Sequence, residues 1–534
     1  MKILAVVPAC EGSASLPNKN IRMINGKPMI YYSINNARKS EYISDILVTT
    51  NSEDILAIAR QMGTMVRQRD SSLCSPSVSL DKVVYDAGES VDYSEYDYVV
   101  TMQSISPTLK HTTLDNAIRK TIECGCDTMI SVVNRSNFYW SVENGRAVPY
   151  QKERMNKHQL TPYYMETGAF LITRPKFITE SSRIGDKVEL YELCPDEAVD
   201  VFTFGDLKQA ENIISRKSVA FFANGNNQIG LGHIYRVLQL ADEFFTKPDI
   251  YFDSNITKRE FFGQTKHNLI SVDGKEGLYA ALKETRYDVF INDILSTSAE
   301  YMSKLKQAMP DARIVNFEDE GDGAPMADMV FNALYEESVS PNVRFGSEYF
   351  IAPKLFLLYE PVEIREKVRD VLITFGGADP CNYTDTMLDI IKDVRYDDIR
   401  FHVVIGRAKA NFSELMECRK SNIEMLYDIS NMPEVMSQCD IAFTSRGRTG
   451  FELALLGIPS VSIAQNEREE LHNFMSAQNG FDYLGRNPSA DAMKAALDRL
   501  LLMNSEQRGR IQKKMLAKNL RYGRKHILNL IDNM

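Results

Sequence analysis

The sequence has no apolar run of the length that crosses a membrane and no cysteine spacing typical of a zinc site. A membrane helix needs about 18 consecutive apolar residues, and no segment approaches this length. The 8 cysteines are scattered along 534 residues without a pair of CxxC units, which argues against a structural zinc site. Cys124 and Cys126, in the tripeptide CGC, are poorly spaced for a ligand pair or a redox pair. Reduced thiols in a cytoplasmic protein are therefore expected.

Basic residues are also outnumbered in this chain. It has 62 Lys and Arg against 72 Asp and Glu, a formal net charge of -10, whereas nucleic-acid-binding proteins favour a basic face. We therefore predict no nucleic-acid partner, although a local basic pocket for phosphates is compatible with this charge. The hydrophobic fraction of 44% with 25% charged residues is typical of globular domains. At 534 residues the chain is too long for one ordinary core, so roughly two to four compact units are expected.

The first part of the chain alternates strand-like and helix-like segments, the pattern of an α/β sheet with crossover helices. The apolar run at 3–8 is followed at once by a glycine-containing polar loop, so we interpret it as a buried strand rather than a signal peptide. Helical periodicity is seen at 29–40 and 52–62. The further strands predicted here are 45–50, 98–102, 128–133 and 169–172.

Two further strand runs indicate where new folding units begin. The run at 219–224 leads into a glycine-rich loop after the polar segment 212–217, and the run at 371–375 leads into a Gly-Gly turn. Two α/β halves with a cleft between them are the architecture of the glycosyltransferase-B type, with ligands at the carboxyl ends of the parallel strands. The predicted fold class is therefore α/β throughout. The predicted domains are 1–213, 217–365 and 366–534.

The segment PACEGSASLPNKN and the later segments MQSISP, METGAFLI and VDVFTFGDLKQAE resemble, in order and spacing, the acylneuraminate cytidylyltransferases, which make CMP-sialic acid. The resemblance spans roughly residues 1–213 and implies a nucleotidyltransferase-like (Rossmann-like) fold. It also implies that the loop after the first strand binds the CTP phosphates, since glycine-turn amides and nearby cations suit an anion. The residues that match the family's nucleotide, substrate and magnesium positions are Gly12, Ser13, Lys19, Asn20, Gln103 and Asp200.

Several charges that cytidylyl transfer uses in this family are missing. Cys10 stands where the family carries an arginine, and Ala14 and Ser15 stand where it carries Lys-Gly. The family's D-x-D pair binds the catalytic magnesium, but Phe202 follows Asp200 in place of the second carboxylate, and a phenyl ring offers no oxygen ligand. Two hypotheses stay open: an active enzyme with a rearranged site, or a degenerate domain that binds a nucleotide or sugar without transfer. The nearby acids available to compensate are Asp196, Glu197 and Asp206.

Residues 223–237, ANGNNQIGLGHIYRV, resemble the glycine-rich opening of the UDP-sugar hydrolase of pseudaminic acid biosynthesis, a relative of glycosyltransferases that build the lipid-linked peptidoglycan precursor. Gly230 and Gly232 are placed to bring main-chain amides close to a pyrophosphate, with His233 on the first turn of the following helix. The resemblance implies that His233 activates water for cleavage at the anomeric carbon. An imidazole suits base work at neutral pH.

Downstream segments follow in the order of that hydrolase family, roughly over 217–490. Asp293, at the carboxyl end of a strand in VFINDIL, is the second predicted catalytic residue. Arg446 and Arg448 are unusual in a loop that is often rich in Gly, Ser and Thr; they either grip a phosphate or an acidic sugar, or belong to a solvated loop. The residues expected to contact the diphosphate, the ribose and the sugar–phosphate, in chain order, are Gly376, Gly377, Glu452, Asn466 and His472.

Both resemblances point to one pathway, the biosynthesis of sialic-acid-like nonulosonic acids. We predict a cytoplasmic bifunctional enzyme with CTP, a UDP-sugar and a nine-carbon sugar acid as substrates. Mg²⁺ is expected in the first domain, although Phe202 in place of a carboxylate argues against it. No cofactor is expected in the second domain. The alternative is a non-transferring first domain joined to a single active UDP-sugar hydrolase or glycosyltransferase. Because cytidylyltransferases of this type often dimerise, a homodimer is a further candidate.

Overall fold

A computed structural model describes residues 1–11, 16–75, 77–151, 153–226, 230–294, 296–335 and 340–534. The described chain divides into two compact units, Met1–Arg216 and Lys217–Met534. Both units contain sheets whose strands alternate with helices, so the predicted α/β class is confirmed. None of the helices within these ranges is long and apolar enough to span a bilayer.

The first unit contains eleven strands and five α-helices within its described residues. The strands are β1 Ile3–Pro8, β2 Met23–Ile24, β3 Lys27–Pro28, β4 Asp45–Thr50, β5 Met65–Gln68, β6 Tyr98–Thr101, β7 Thr128–Asn134, β8 Trp140–Glu143, β9 Arg146–Pro149, β10 Tyr164–Thr173 and β11 Val188–Glu192. The helices are α1 Met29–Lys39, α2 Glu53–Gln61, α3 Leu80–Ala87, α4 His111–Cys124 and α5 Phe204–Ile214.

The main sheet of the first unit has the order β11-β7-β10-β6-β1-β4-β5. Within the described residues of this sheet, β10 is the strand that runs antiparallel to both of its neighbours, β6 and β7. Every residue of β1 is buried, because helices cover both faces of a mainly parallel sheet. Strands β8 and β9 form a separate hairpin on which Trp140 and Val142 remain exposed.

The second unit holds thirteen strands and eleven α-helices in the ranges given above. The strands are β12 Val219–Ala223, β13 Asp249–Asp253, β14 Asn268–Val272, β15 Val289–Asp293, β16 Arg313–Phe317, β17 Met329–Asn332, β18 Val343–Phe345, β19 Asp370–Thr374, β20 Arg400–Ile405, β21 Ile423–Tyr427, β22 Ile441–Ser445, β23 Ser460–Ala464 and β24 Phe481–Arg486. The helices are α6 Gly232–Ala241, α7 Gly274–Lys283, α8 Ala299–Ala308, α9 Tyr383–Ile391, α10 Phe412–Leu415, α11 Met432–Met436, α12 Thr449–Leu456, α13 Glu467–Glu470, α14 Ala490–Leu501, α15 Ser505–Leu516 and α16 Gly523–Asp532.

These strands form two parallel sheets, one in each half of the unit. The first has the order β14-β13-β12-β15-β16-β17-β18, and the second has the order β21-β20-β19-β22-β23-β24. The last helix, α16, returns to the first half, where Ile527 and Ile531 pack in the core that contains Val219. The carboxyl ends of the strands in such sheets are the usual place for a ligand.

Candidate functional site

The predicted phosphate-binding loop of the first unit follows β1. Gly12 and Ser13 lie outside the described residues. Lys19 places Nζ 5.0 Å from the centre of the Phe202 ring, within the range of a cation–π contact. Burial lowers the pKa of Lys19. The ring that replaces a family carboxylate therefore contacts the cation predicted to bind the triphosphate.

Asn20 joins this loop to the segment after β6. Its Nδ2 donates to the carbonyl of Cys10 at 2.7 Å. Its Oδ1 accepts a hydrogen bond from Oγ of Ser104 at 2.6 Å. The side chain is buried, so the predicted nucleotide contact starts from a carboxamide already engaged within the protein.

Asp200 and Gln103 line a cavity of about 530 Å³, here called the first-unit cavity, together with Arg135. One carboxylate oxygen of Asp200 accepts from Oγ of Ser106, and the other accepts from the backbone N–H of Gly168 at 2.9 Å. Burial raises the pKa of Asp200, although these hydrogen bonds oppose the shift. Both oxygens of the predicted magnesium ligand are thus occupied by donors of the protein.

Asp200 lacks the neighbouring second carboxylate that the resemblance implies for a magnesium site. Phe202 supplies no oxygen, and its neighbour Asp206 caps the start of α5 with its carboxylate. Asp196 pairs with an arginine and Glu197 with a lysine. No group of three or more His, Cys, Asp and Glu side chains within the described ranges is arranged to hold a metal ion. Proteins usually hold magnesium with one or two carboxylates together with waters and substrate phosphates. Of the three candidate acids, Asp206 lines the same cavity as Asp200.

Arg69 is a cation of the first unit that motif reasoning missed. It follows β5 directly, at the same sheet edge as the residues after β1, because the intervening strand β4 is parallel to both. The side chain is buried, yet its Nε and Nη2 have no hydrogen-bond partner among the described residues. A buried guanidinium with unpaired donors is costly unless an anion joins it. The sequence analysis predicted no strand at 65–68, so no motif marked this arginine as a site residue.

The catalytic candidates of the second unit meet at the carboxyl edge of the first sheet. Asp293 is the last residue of β15, and His233 and Arg236 lie one turn apart on the same face of α6. His233 Nδ1 lies 2.7 Å from Asp293 Oδ1. Arg236 donates to both oxygens of Asp293, each at 2.5 Å. The predicted pair of catalytic residues is thus brought together, with an arginine that sequence reasoning missed.

The charges around this cluster determine which ring nitrogen of His233 carries the proton. Asp293 is fully buried, and burial alone would raise its pKa, but Arg236 and the hydrogen bond from His233 hold the pKa of this carboxyl below its ordinary value. An ionised carboxylate only accepts hydrogen bonds, so Nδ1 of the imidazole carries the proton. Nε2 is left with a lone pair able to take a proton.

Glu318 links this cluster to the second half of the unit. It follows β16, and its Oε1 lies 2.5 Å from Nη1 of Arg236. The same oxygen accepts from Nη2 of Arg448 at 2.9 Å, and Nη1 of Arg448 donates to the carbonyl of Gly232 at 3.2 Å. One buried carboxylate is therefore shared by two arginines from opposite halves.

Arg446 and Arg448 take different places, and neither is a solvated loop side chain. Arg448 lines the cavity between the halves. Arg446 is buried, with its guanidinium 3.7 Å from the ring centre of Tyr483. Of the two arginines, only Arg448 is placed to meet a ligand in that cavity.

The two halves of the second unit enclose a cavity of about 680 Å³, here called the second-unit cavity. This size suits a small-molecule ligand. Gly232 and Arg236, which flank His233, contribute to its wall. The predicted site residues that line it are Gly230, Gly232, Gly376, Gly377, Glu452 and Asn466.

Glycine is required at two positions of this wall. Gly230 has φ 84° and Gly376 has φ 78°, in the left-handed region that other residues rarely adopt. Gly376 and Gly377 follow β19 and precede α9, whose first turn is capped by Asp379. The backbone is therefore open to close approach by a ligand at this turn.

Glu452 lies on α12, which begins at the edge of the second-unit cavity. Burial raises the pKa of Glu452 to about 7. Among the residues that the structure describes, no side chain or backbone group forms a hydrogen bond or ion pair with its carboxylate. An acceptor without a partner in a cavity wall suits hydroxyl donors such as those of a ribose.

The two residues predicted to contact the sugar–phosphate, Asn466 and His472, lie in different places. Asn466 lines the second-unit cavity and caps α13, with Oδ1 accepting from the N–H of Glu469 at 2.9 Å. His472 is buried outside the described cavity wall, with Nδ1 2.7 Å from the carbonyl of Arg446. Burial lowers the pKa of His472. The structure therefore brings Asn466 but not His472 to this cavity.

The first unit is similar to a known protein family. Residues 4–219 match the family model described as cytidylyltransferase. The first unit matches this family. The predicted resemblance of the N-terminal half is confirmed.

A relative from Helicobacter pylori aligns along most of the chain. It is a pseudaminic acid cytidylyltransferase and UDP-2,4-diacetamido-2,4,6-trideoxy-beta-L-altropyranose hydrolase, 21% identical over 503 residues that cover 89% of this chain and 91% of the relative. An uncharacterized protein of Methanocaldococcus jannaschii is 28% identical over 47% of this chain, which spans only 56% of that relative. The resemblance of the C-terminal half to a UDP-sugar hydrolase is confirmed by the first of these.

Among solved structures, the MurG of Acinetobacter baumannii aligns with 60% of this chain and 100% of its own. The two share 12% sequence identity, with a TM-score of 0.47.

Proposed function

We propose that the chain is a bifunctional nucleotide-sugar enzyme of nonulosonic acid biosynthesis. Its second unit hydrolyses a UDP-sugar, and its first unit is of the cytidylyltransferase type. The observation that carries the proposal is the buried Asp293–His233 pair beside a cavity with two glycine turns. The alignment with a fused cytidylyltransferase–hydrolase along 89% of the chain supports the same combination.

His233 is the base of the hydrolytic step. Asp293 holds Nδ1–H at 2.7 Å, so Nε2 accepts a proton from water as the water oxygen bonds to the anomeric carbon. The bond between that carbon and the diphosphate oxygen breaks, and UDP leaves with the electron pair. The free sugar carries the oxygen of water. Arg236 acts as a positioning residue, because its two hydrogen bonds fix the carboxylate that orients the imidazole.

The second-unit cavity holds the UDP. The backbone at Gly376 and Gly377 meets the diphosphate, since an open glycine turn before a helix presents amide donors to an anion. Glu452 accepts from the ribose hydroxyls. The CTP site of the first unit, by contrast, is assigned to the loop after β1 and the first-unit cavity.

UDP release from diacetamido UDP-sugars tests the hydrolase. The full chain should release UDP and free sugar, and His233→Ala should lower kcat by about 100-fold or more. Asn255→Ala is the control, because the Asn255 side chain donates to Asp273 in the same half and is not part of the described wall of the second-unit cavity. Release of UDP only when a sugar acceptor is added would make the unit a transferase. An unimpaired His233→Ala enzyme would show that another group is the base.

A second candidate function concerns the first unit, which would bind a nucleotide or sugar without transfer. The fully engaged oxygens of Asp200 and the ring at Phe202 favour it. Pyrophosphate release from CTP and Mg²⁺, with a panel of nine-carbon sugar acids and the full chain, decides between the two. Turnover with any acid supports the transferase. CTP binding without pyrophosphate release supports the binding module.

We also propose a homodimer in the cytoplasm, where CTP and UDP-sugars are made. Trp140 is 55% exposed and Val142 is 76% exposed on the β8–β9 hairpin, and clustered exposed apolar side chains mark interaction surfaces. Light scattering should give twice the chain mass, and Val142→Asp should give the monomer mass. Val394→Asp, at an equally exposed valine of the second unit, should leave the dimer intact; a monomeric wild-type protein would refute the proposal.

A further inference from the structure

We propose that Arg448 is the diphosphate receptor of the second unit and that it reaches this state by exchanging Glu318 for the substrate. This inference rests on the proposed function and adds a specificity-determining residue to it. In the structure Nη2 of Arg448 donates to Oε1 of Glu318 at 2.9 Å. A nucleoside diphosphate entering the second-unit cavity takes the place of that carboxylate.

The cavity wall limits which cation can meet a diphosphate. The arginines and lysines among its described lining residues are Arg236, Arg407 and Arg448. Arg236 is buried and already paired with two carboxylates, Asp293 and Glu318. Arg407 is exposed at the rim and paired with Asp428 at 2.7 Å. Arg448 remains, half-buried and on the inner wall beside the Gly232 turn.

The partner of Arg448 is replaceable without leaving a charge unpaired. Glu318 shares one oxygen between Arg448 and Arg236, and the contact to Arg236 is the shorter, 2.5 Å against 2.9 Å. When Arg448 turns to another anion, Glu318 keeps Arg236. A buried carboxylate left without a partner would oppose the exchange strongly. Glu318 does not oppose it in this way, because it stays paired with Arg236.

The chemistry of the reaction favours the exchange. Cleavage at the anomeric carbon leaves the electron pair on the diphosphate, so negative charge grows at that group in the transition state. A guanidinium binds phosphate oxygens in a fork with two N–H donors and stays charged at all working pH values. Main-chain amides at Gly232 and Gly376 supply donors but no full charge. Arg448 supplies the missing charge at the same wall.

Binding of UDP and uridine by calorimetry tests the inference without turnover. Arg448→Met should weaken UDP binding by about tenfold or more and leave uridine, which has no phosphate, within about twofold. Glu318→Gln should tighten UDP binding by about threefold, because Arg448 no longer has a competing carboxylate. Arg419→Met removes the same charge from an exposed site of the same half and should change neither.

The outcomes separate two kinds of failure. If the wild-type chain binds neither UDP nor uridine, the proposed function fails and this inference fails with it. If the wild type binds UDP but Arg448→Met does so equally well, the inference alone is overturned. Equal losses for UDP and uridine, or weaker UDP binding in Glu318→Gln, would make the pair a structural clasp between the halves and would also overturn it.

Discussion

Replacing Asp293 by asparagine removes one charge from the centre of the proposed catalytic cluster of His233, Arg236 and Asp293 with almost no change in shape. Arg236 loses both of its 2.5 Å bonds to a carboxylate, and breaking a buried ion pair costs about 3–5 kcal/mol. Since Arg236 keeps Glu318 at 2.5 Å, we expect the lower end, about 3 kcal/mol. The new amide donates toward Nδ1 of His233 and forces the proton to Nε2. Catalysis should then fall on the order of 10⁴-fold, as expected for the wrong imidazole tautomer.

Calorimetric melting of the full chain and UDP release measure the two effects. The unfolding transition of the second unit is recognised as the one whose midpoint temperature rises when UDP is added. Asp293→Asn should lower this midpoint temperature. Because the pKa of Asp293 is lowered by folding, its contribution is present above about pH 4 and lost as pH falls through the folded value. The difference in unfolding free energy between the wild type and Asp293→Asn should therefore become smaller in acid. Asp322→Asn, an exposed helix-capping acid, should cost under about 1 kcal/mol.

The reasoning about this cluster would be refuted by an Asp293→Asn enzyme that keeps wild-type kcat. A loss of stability that is the same at pH 3 as at pH 7 would also contradict it, since the ionised carboxylate is the stated cause. A fall in kcat without a change in melting would instead place the whole effect on His233 and leave Arg236 without a structural role.

Three other predictions follow from groups that burial or backbone geometry perturbs. Because burial raises the pKa of Glu452 from 4.5 to about 7, stability of the second unit should fall as pH rises through this window, and Glu452→Gln should abolish that slope in melting curves. Arg69→Met should stabilise the first unit by about 1 kcal/mol and weaken CTP binding about tenfold, measured by melting and calorimetry; weaker folding with unchanged binding would contradict it. Gly376→Ala, at φ 78°, should cost about 1 kcal/mol and weaken UDP binding, whereas Gly509→Ala within α15 should not.

Local patterns determined many of the elements and the position of several candidate site residues on them. The apolar runs of β1, β12 and β19 are buried strands, because a parallel sheet covered on both faces selects continuous apolar sequence. The GLGH motif predicted a glycine turn before a helix, and α6 begins at Gly232. Asp293 was predicted at a strand end, and it binds His233 there. These features depend on residues close together in the chain or on the common edge of one sheet.

Other predictions depended on side-chain direction, which the motifs did not specify. His472 was predicted at the sugar–phosphate but is buried beside Tyr335, outside the described cavity wall. Of the compensating acids considered for magnesium, Asp196 and Glu197 form ion pairs, whereas Asp206 caps a helix and lines the same cavity as Asp200. A residue's place in a motif indicates its position on the backbone. Neighbours distant in sequence decide whether its side chain is free for a ligand.

The sequence by itself therefore determined the α/β architecture and the resemblance to two enzyme families, and it indicated His233 and Asp293 separately as catalytic candidates. Only the tertiary structure decided the shared carboxylate of Glu318, which binds both Arg236 and Arg448, the latter 130 residues further along the chain than Glu318. Strand order sets which loops meet at a sheet edge, and the packing of the two halves sets which loops face each other across the cavity. The periodicity of apolar residues along the sequence predicts neither of these, because contacts between distant residues form only when the whole unit has folded.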